Sequence, residues 1–101
     1  MSDLRAMDDL DLARRLKRLK RTVLMLETEL RNEHLDVDLI TEVDAQLEEG
    51  IATDRRSAGL RDHVDALRES TITPRPELYK DAVRACEKLK DAIEGLILKL
   101  G

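Results

Sequence analysis

This 101-residue sequence has no Phe, no Trp and a single Tyr. A core without rings must be filled by aliphatic side chains, which suits helix-on-helix packing and gives little support to a sheet. One cysteine, Cys86, excludes an internal disulfide and fits a reducing compartment. The four glycines stand isolated at 50, 59, 95 and 101, so no phosphate-cradling loop is formed, and no nucleophile elbow occurs. No apolar run approaches the length of a membrane span; near the C-terminus the longest is Leu96-Ile97-Leu98. The N-terminus, MSDLRAMDDLD, carries acids where a signal peptide would have a basic region and then an apolar one. The expectation is a cytoplasmic protein with no membrane partner.

What is present is helix-forming. Leu, Ile and Val supply 28 residues, too many for a chain that stays disordered through lack of apolar content. Charged residues make up 40%, the signature of helices with solvated outer faces. The net charge of −4 speaks for solubility and gives no overall attraction to a polyanion.

The organising stretch is LARRLKRLKRTVLMLETEL, residues 12–30. Leu12, Leu16, Leu19, Val23, Leu26 and Leu30 are spaced four, three, four, three and four apart. That spacing lays all six on one stripe of a helix, the seam of a heptad pattern. Ser2 or Asp8 can cap its start, and Asp8, Asp9 and Asp11 complement the positive end of its dipole. Val23, Leu24, Met25 and Leu26 are apolar on every side, which predicts that more than one neighbour meets the helix there. The last helix carries a matching seam, Ala82, Cys86, Leu89, Ile93, Leu96 and Leu100, and Thr73-Pro74 reads as its N-cap and first position.

Two shorter helices fit between. Asp36 or Asp38 can cap one whose stripe is Leu39, Ile40, Val43 and Leu47, with Gly50 as the left-handed residue that ends it. Thr53, Asp54 or Ser57 can cap the other, with Leu60, Val64 and Leu67 inside; Gly59 would weaken its first turns by about 1 kcal/mol relative to Ala. Ser70-Thr71-Ile72-Thr73, rich in hydroxyl and β-branched residues, reads as a connector. The expected fold is an all-α helical bundle in one domain, 1–101. Its long helices span about 4–33 and 74–100, its short ones about 37–49 and 54–69. The lengths allow two arrangements: three rods with the middle one broken at Gly50, or four helices with two short members.

Chemistry is sparse. His34 and His63 stand alone, with no Glu three residues before either, so no metal site is expected, no cofactor, and no catalytic residues. Cys86 lies on the apolar seam, where cysteine behaves as a small inert hydrophobe. The sharpest local feature is a basic block: Arg14, Arg15, Lys17, Arg18, Lys20 and Arg21, with no acid among them. Six cations in eight residues suit phosphates or an acidic partner, although no aromatic is interleaved for stacking on bases. Residues 27–49 hold nine acids against one Arg, an internal counterpart. A hairpin around His34 would bring Lys20 and Arg21 opposite Glu48 and Glu49.

The sequence therefore points to a non-enzymatic interaction module, an adaptor, assembly factor or regulator that works by protein–protein binding. The expected partner is a second copy, forming a homo-oligomer such as a dimer, or another helical protein. The candidate interface is Val23, Leu24, Met25 and Leu26 with Leu96, Ile97, Leu98 and Leu100, because apolar surplus on a charged domain marks a binding surface. The alternative is a nucleic-acid-binding regulator using the block from Arg14 to Arg21.

Overall fold

A computed structural model describes residues 8–72, 77 and 79–100 of the chain. These are all-helical: α1 (Asp9–Arg31), α2 (Val37–Gln46), α3 (Leu60–Thr71) and α4 (Tyr79–Leu100). The side chain of Asp8 caps α1 by accepting from the Asp11 N–H at 2.8 Å. At the other end Glu33, with φ 57°, takes the left-handed position that usually falls to glycine. Its N–H donates to Leu30 O, and the His34 N–H donates to Glu29 O, so two otherwise orphaned carbonyls are satisfied. Asp36 caps α2 through the N–H groups of Asp38 and Leu39.

After α2 the helix widens into a turn over Leu47–Ile51 and breaks at Gly50, whose φ is 109°. The chain then makes a compact irregular link over 52–59. Here the expected helix start is corrected. Asp54 and Ser57 are buried in the link and cap nothing. Asp54 Oδ1 accepts both the backbone N–H and Nε of Arg56, and Ser57 Oγ donates to Ile51 O at 2.7 Å. Such short-range side-chain bonds hold a turn and compete with helix formation. Helix α3 starts at Leu60 with Gly59 as a bare N-cap, and it runs through the expected connector to Thr71. There the Ser70 and Thr71 hydroxyls donate back to Leu67 O and Arg68 O within the last turn. The expected caps Ser2 and Thr73-Pro74 lie outside the described residues.

Ion pairs and hydrogen bonds between helices fix their directions. Lys20 pairs with Glu94, Glu27 with Lys90 and Arg31 with Glu87, so α1 and α4 run antiparallel. Thr22 meets Gln46, and Arg18 meets Glu42 and Glu49, so α2 returns along α1. Arg61 reaches Asp44 and Glu48, and Arg68 reaches Asp44, which sets α3 beside α2. The chain thus reverses after α2, and the result is a bundle of four helices with two short members rather than one broken middle rod. Both seams face inward. Leu12, Leu16, Leu19, Val23, Leu26 and Leu30 meet Ala82, Cys86, Leu89 and Ile93, with Val43, Leu47, Ile51, Leu60, Val64 and Leu67 completing one core. Leu96 and Leu100 close its end half-buried.

Candidate interaction surface

The inward seam of α1 uses one stripe of that helix; a second stripe faces away. Leu10, Arg14, Lys17, Arg21, Leu24 and Thr28 repeat the four-three spacing on the opposite side, and all six are exposed. Met25 stands beside Leu24. Of the residues at 23–26, Val23 and Leu26 are fully buried in the core, whereas Leu24 is 48% and Met25 56% exposed. Within a single chain, then, α1 is covered on one side only at this point.

Helix α4 contributes the rest of the surface. Lys20 of α1 is ion-paired with Glu94, and an open groove between the two helices is lined by Arg14, Lys17, Arg21, Leu24, Glu94 and Ile97. Ile97 is half-buried in its wall, and Leu98 is 74% exposed beside it. A second groove flanks α1 on the α2 side, where Leu24 and Met25 face Leu39 and Asp36. Leu24 and Met25 therefore form an apolar ridge between two grooves.

The basic block divides by direction. Arg15 donates to Glu49 O at 2.6 Å, Arg18 sits 3.6 Å from Glu42 and 3.7 Å from Glu49, and Lys20 is held by Glu94. The expected pairing of Lys20 and Arg21 with Glu48 and Glu49 is corrected accordingly. Arg15, Arg18 and Thr22 lie on the flank of α1 turned to α2, while Lys20, Glu27 and Arg31 lie on the flank turned to α4. Glu48 instead takes Arg61 of α3. Arg14, Lys17 and Arg21 point outward. Arg14 has only a 3.9 Å contact with Asp11, and among the described residues Lys17 and Arg21 make no ion pair.

Beside this surface lies a buried ionic cluster. The Glu27 side chain, 6% exposed, stands between Lys90 Nζ at 2.5 Å and Arg31 at 2.6 Å, and Arg31 continues to Glu87 at 2.8 Å. Burial works to raise the Glu27 pKa, but hydrogen bonds from Lys90 and Arg31 outweigh it and hold the carboxyl below its ordinary value. Cys86 lies close by in the core, where burial, aided by the Glu27 charge, pushes its thiol up to about 12.

Neither histidine gathers ligands. His34 is exposed and 2.5 Å from Glu29, and His63 is half-buried on α3. Among the described residues, no three His, Cys, Asp or Glu side chains converge on a common point, and no helix is long and apolar enough to cross a membrane. Compared with known proteins, the chain matches no family model, no curated protein and no solved structure.

Proposed function

We infer that this protein is a non-enzymatic helical interaction module, an adaptor, assembly factor or regulator of the cytoplasm, whose work is binding and whose first partner is a second copy of itself. The observation that carries this reading is the Leu24–Met25 ridge, continued by Ile97 and Leu98. While the α1 seam is fully buried, Leu24, Met25 and Leu98 stay exposed and Ile97 half-exposed, and Leu24 and Ile97 line the same groove between α1 and α4. Large exposed apolar side chains flanking one groove of a heavily charged surface are best explained by an occupant. Light scattering after size exclusion tests it: the expected mass is that of a dimer, insensitive to moderate salt. Leu24→Asp and Leu98→Asp each lower that mass while far-UV circular dichroism stays helical. A wild-type monomer at high concentration sinks the self-association part of the reading.

One observation favours a second reading, a nucleic-acid-binding regulator: Arg14, Lys17 and Arg21 stand in a row on the exposed stripe without strong partners among the described residues. Three cations in line suit phosphates, and such binding weakens steeply with salt. It predicts retardation of DNA or RNA at low salt that is lost in Arg14→Glu/Arg21→Glu. The internal pairing of Arg15, Arg18 and Lys20 takes half of the block away from it.

A further inference from the structure

Resting on the self-association reading, we propose that copies meet head to tail, the outer stripe of α1 in one lying parallel to the outer stripe of α3 in the next. The two stripes match position for position. Arg14, Lys17, Arg21 and Leu24 are spaced three, four and three apart on α1, and Asp62, Asp65, Glu69 and Ile72 repeat that spacing on α3. All eight are exposed, Leu24 at 48% and Ile72 at 74%. Ile72 keeps helical dihedrals at the end of α3, so it stays in line with the three acids. A parallel pairing sets Arg14, Lys17 and Arg21 against Asp62, Asp65 and Glu69 of the partner subunit, and Leu24 against the partner's Ile72. Turned end for end, Arg14 meets the partner's Ile72 and Leu24 meets the partner's Asp62, which desolvates a charge at each end with nothing to pair it.

The charges are available. Among the described residues Lys17, Arg21, Asp62, Asp65 and Glu69 make no ion pair, and Arg14 has only its 3.9 Å contact with Asp11. The nearest neighbours of opposite sign are already taken: Glu94 beside the basic stripe is held by Lys20, and Arg68 beside the acidic one reaches Asp44. Each stripe also borders a groove with apolar walls, Leu24 and Ile97 on the α1 side, Val37 and Ile72 on the α3 side. These apolar ends supply the burial, while the charges set orientation and choice of face. Helices α2 and α4 each pack against both α1 and α3, so α1 and α3 stand at opposite corners of the bundle and their outer stripes face opposite ways. The contact is therefore heterologous. A dimer is its first product, and it keeps one basic and one acidic stripe uncovered for the next copy.

The test uses the full chain and two kinds of variant. An equimolar mixture of Leu24→Cys and Ile72→Cys should form an intermolecular disulfide on mild oxidation, and neither variant alone should do so. The native Cys86 is buried and provides the silent background. In parallel, Lys17→Glu/Arg21→Glu and Asp65→Lys/Glu69→Lys should each self-associate about ten-fold more weakly than the wild type, since each sets like charges across the contact. Mixing these two should restore near wild-type association, because the reversed α1 stripe of one is complementary to the reversed α3 stripe of the other. Recovery on mixing also shows that both variants are folded. A self-associating wild type whose Leu24→Cys variant crosslinks to itself, whose mixed cysteine variants stay unlinked, or whose charge variants do not rescue each other overturns this pairing and leaves self-association standing. A wild-type monomer overturns both.

Discussion

Lys90 Nζ lies 2.5 Å from the Glu27 carboxylate, tying the middle of α4 to the C-terminal turns of α1 at a point where the acid is almost wholly buried. The contact is charge-assisted and shares Glu27 with Arg31. Removing Glu27 leaves the largely buried Lys90 without its counterion, the costly direction of change, whereas the half-exposed Arg31 keeps Glu87.

The first prediction concerns pH. Glu27→Gln should cost about 1–3 kcal/mol at pH 7, since it withdraws the charge that Lys90 and Arg31 were placed around. Because the folded carboxyl is held below its ordinary 4.5, its contribution is present above that pH and fades as pH falls through the folded value. Asp54, lowered by its hydrogen bond to Arg56, acts in the same direction. Urea melts of wild type and Glu27→Gln should therefore differ at pH 7 and draw together progressively as the pH falls below 4.5. A gap that persists undiminished to pH 3 would show that shape, not charge, carries the effect.

A second prediction comes from two turns with left-handed backbone. Gly50, at φ 109°, sits where a side chain is strained, so Gly50→Ala should destabilise by about 1–2 kcal/mol. Glu33 is the reverse case, an ordinary residue at φ 57° in the position glycine favours, and Glu33→Gly should stabilise by a few tenths to about 1 kcal/mol. Thermal melts at one protein concentration check both. Opposite signs are required; two destabilisations would remove backbone strain as the cause at Glu33.

How much of this could be read from sequence depends on the range of the forces involved. The inward seams were legible because Leu12 to Leu30 and Ala82 to Ile93 obey helical spacing, and burial follows spacing. The cap at Asp36 and the break at Gly50 were legible for the same local reason. The link from Ala52 to Gly59 was not: Asp54 has the chemistry of an N-cap, and only Arg56, tied both to Asp54 and to Asp9 at the start of α1, commits it to a turn. Which cations face α2 depends on how α1 is rotated in the bundle, so the pairs made by Arg15 and Arg18 could not be anticipated from the charge run. The outward stripe from Leu10 to Thr28 was present as spacing, yet its central cations conceal it from a reading keyed to apolar residues.

The third prediction uses the polar pair between α1 and α2. Gln46 Nε2 donates to Thr22 Oγ1 at 2.8 Å and to Glu42 at 2.9 Å, while Gln46 Oε1 is buried without a partner among the described residues. Thr22→Val should cost about 1 kcal/mol through the lost acceptor. Gln46→Met should be close to neutral, since it also removes the unsatisfied oxygen. The double variant should cost less than the sum, because the same hydrogen bond is lost only once. Strict additivity in denaturant melts would mean the bond contributes nothing.

The last prediction concerns Cys86. Its thiol is buried between the long helices, and desolvation pushes its pKa to about 12, so almost no thiolate exists at pH 8. Alkylating and disulfide reagents attack the thiolate, and they must also reach it. Labelling of the native protein should therefore proceed only through opening of the α1–α4 pair, at a rate set by the opening equilibrium. Full labelling is expected in denaturant within the mixing time. In native buffer the rate should rise in Glu27→Gln by about the factor that its stability loss implies, roughly five-fold or more for each 1 kcal/mol. Prompt native labelling would show that the seam between α1 and α4 is open at Cys86.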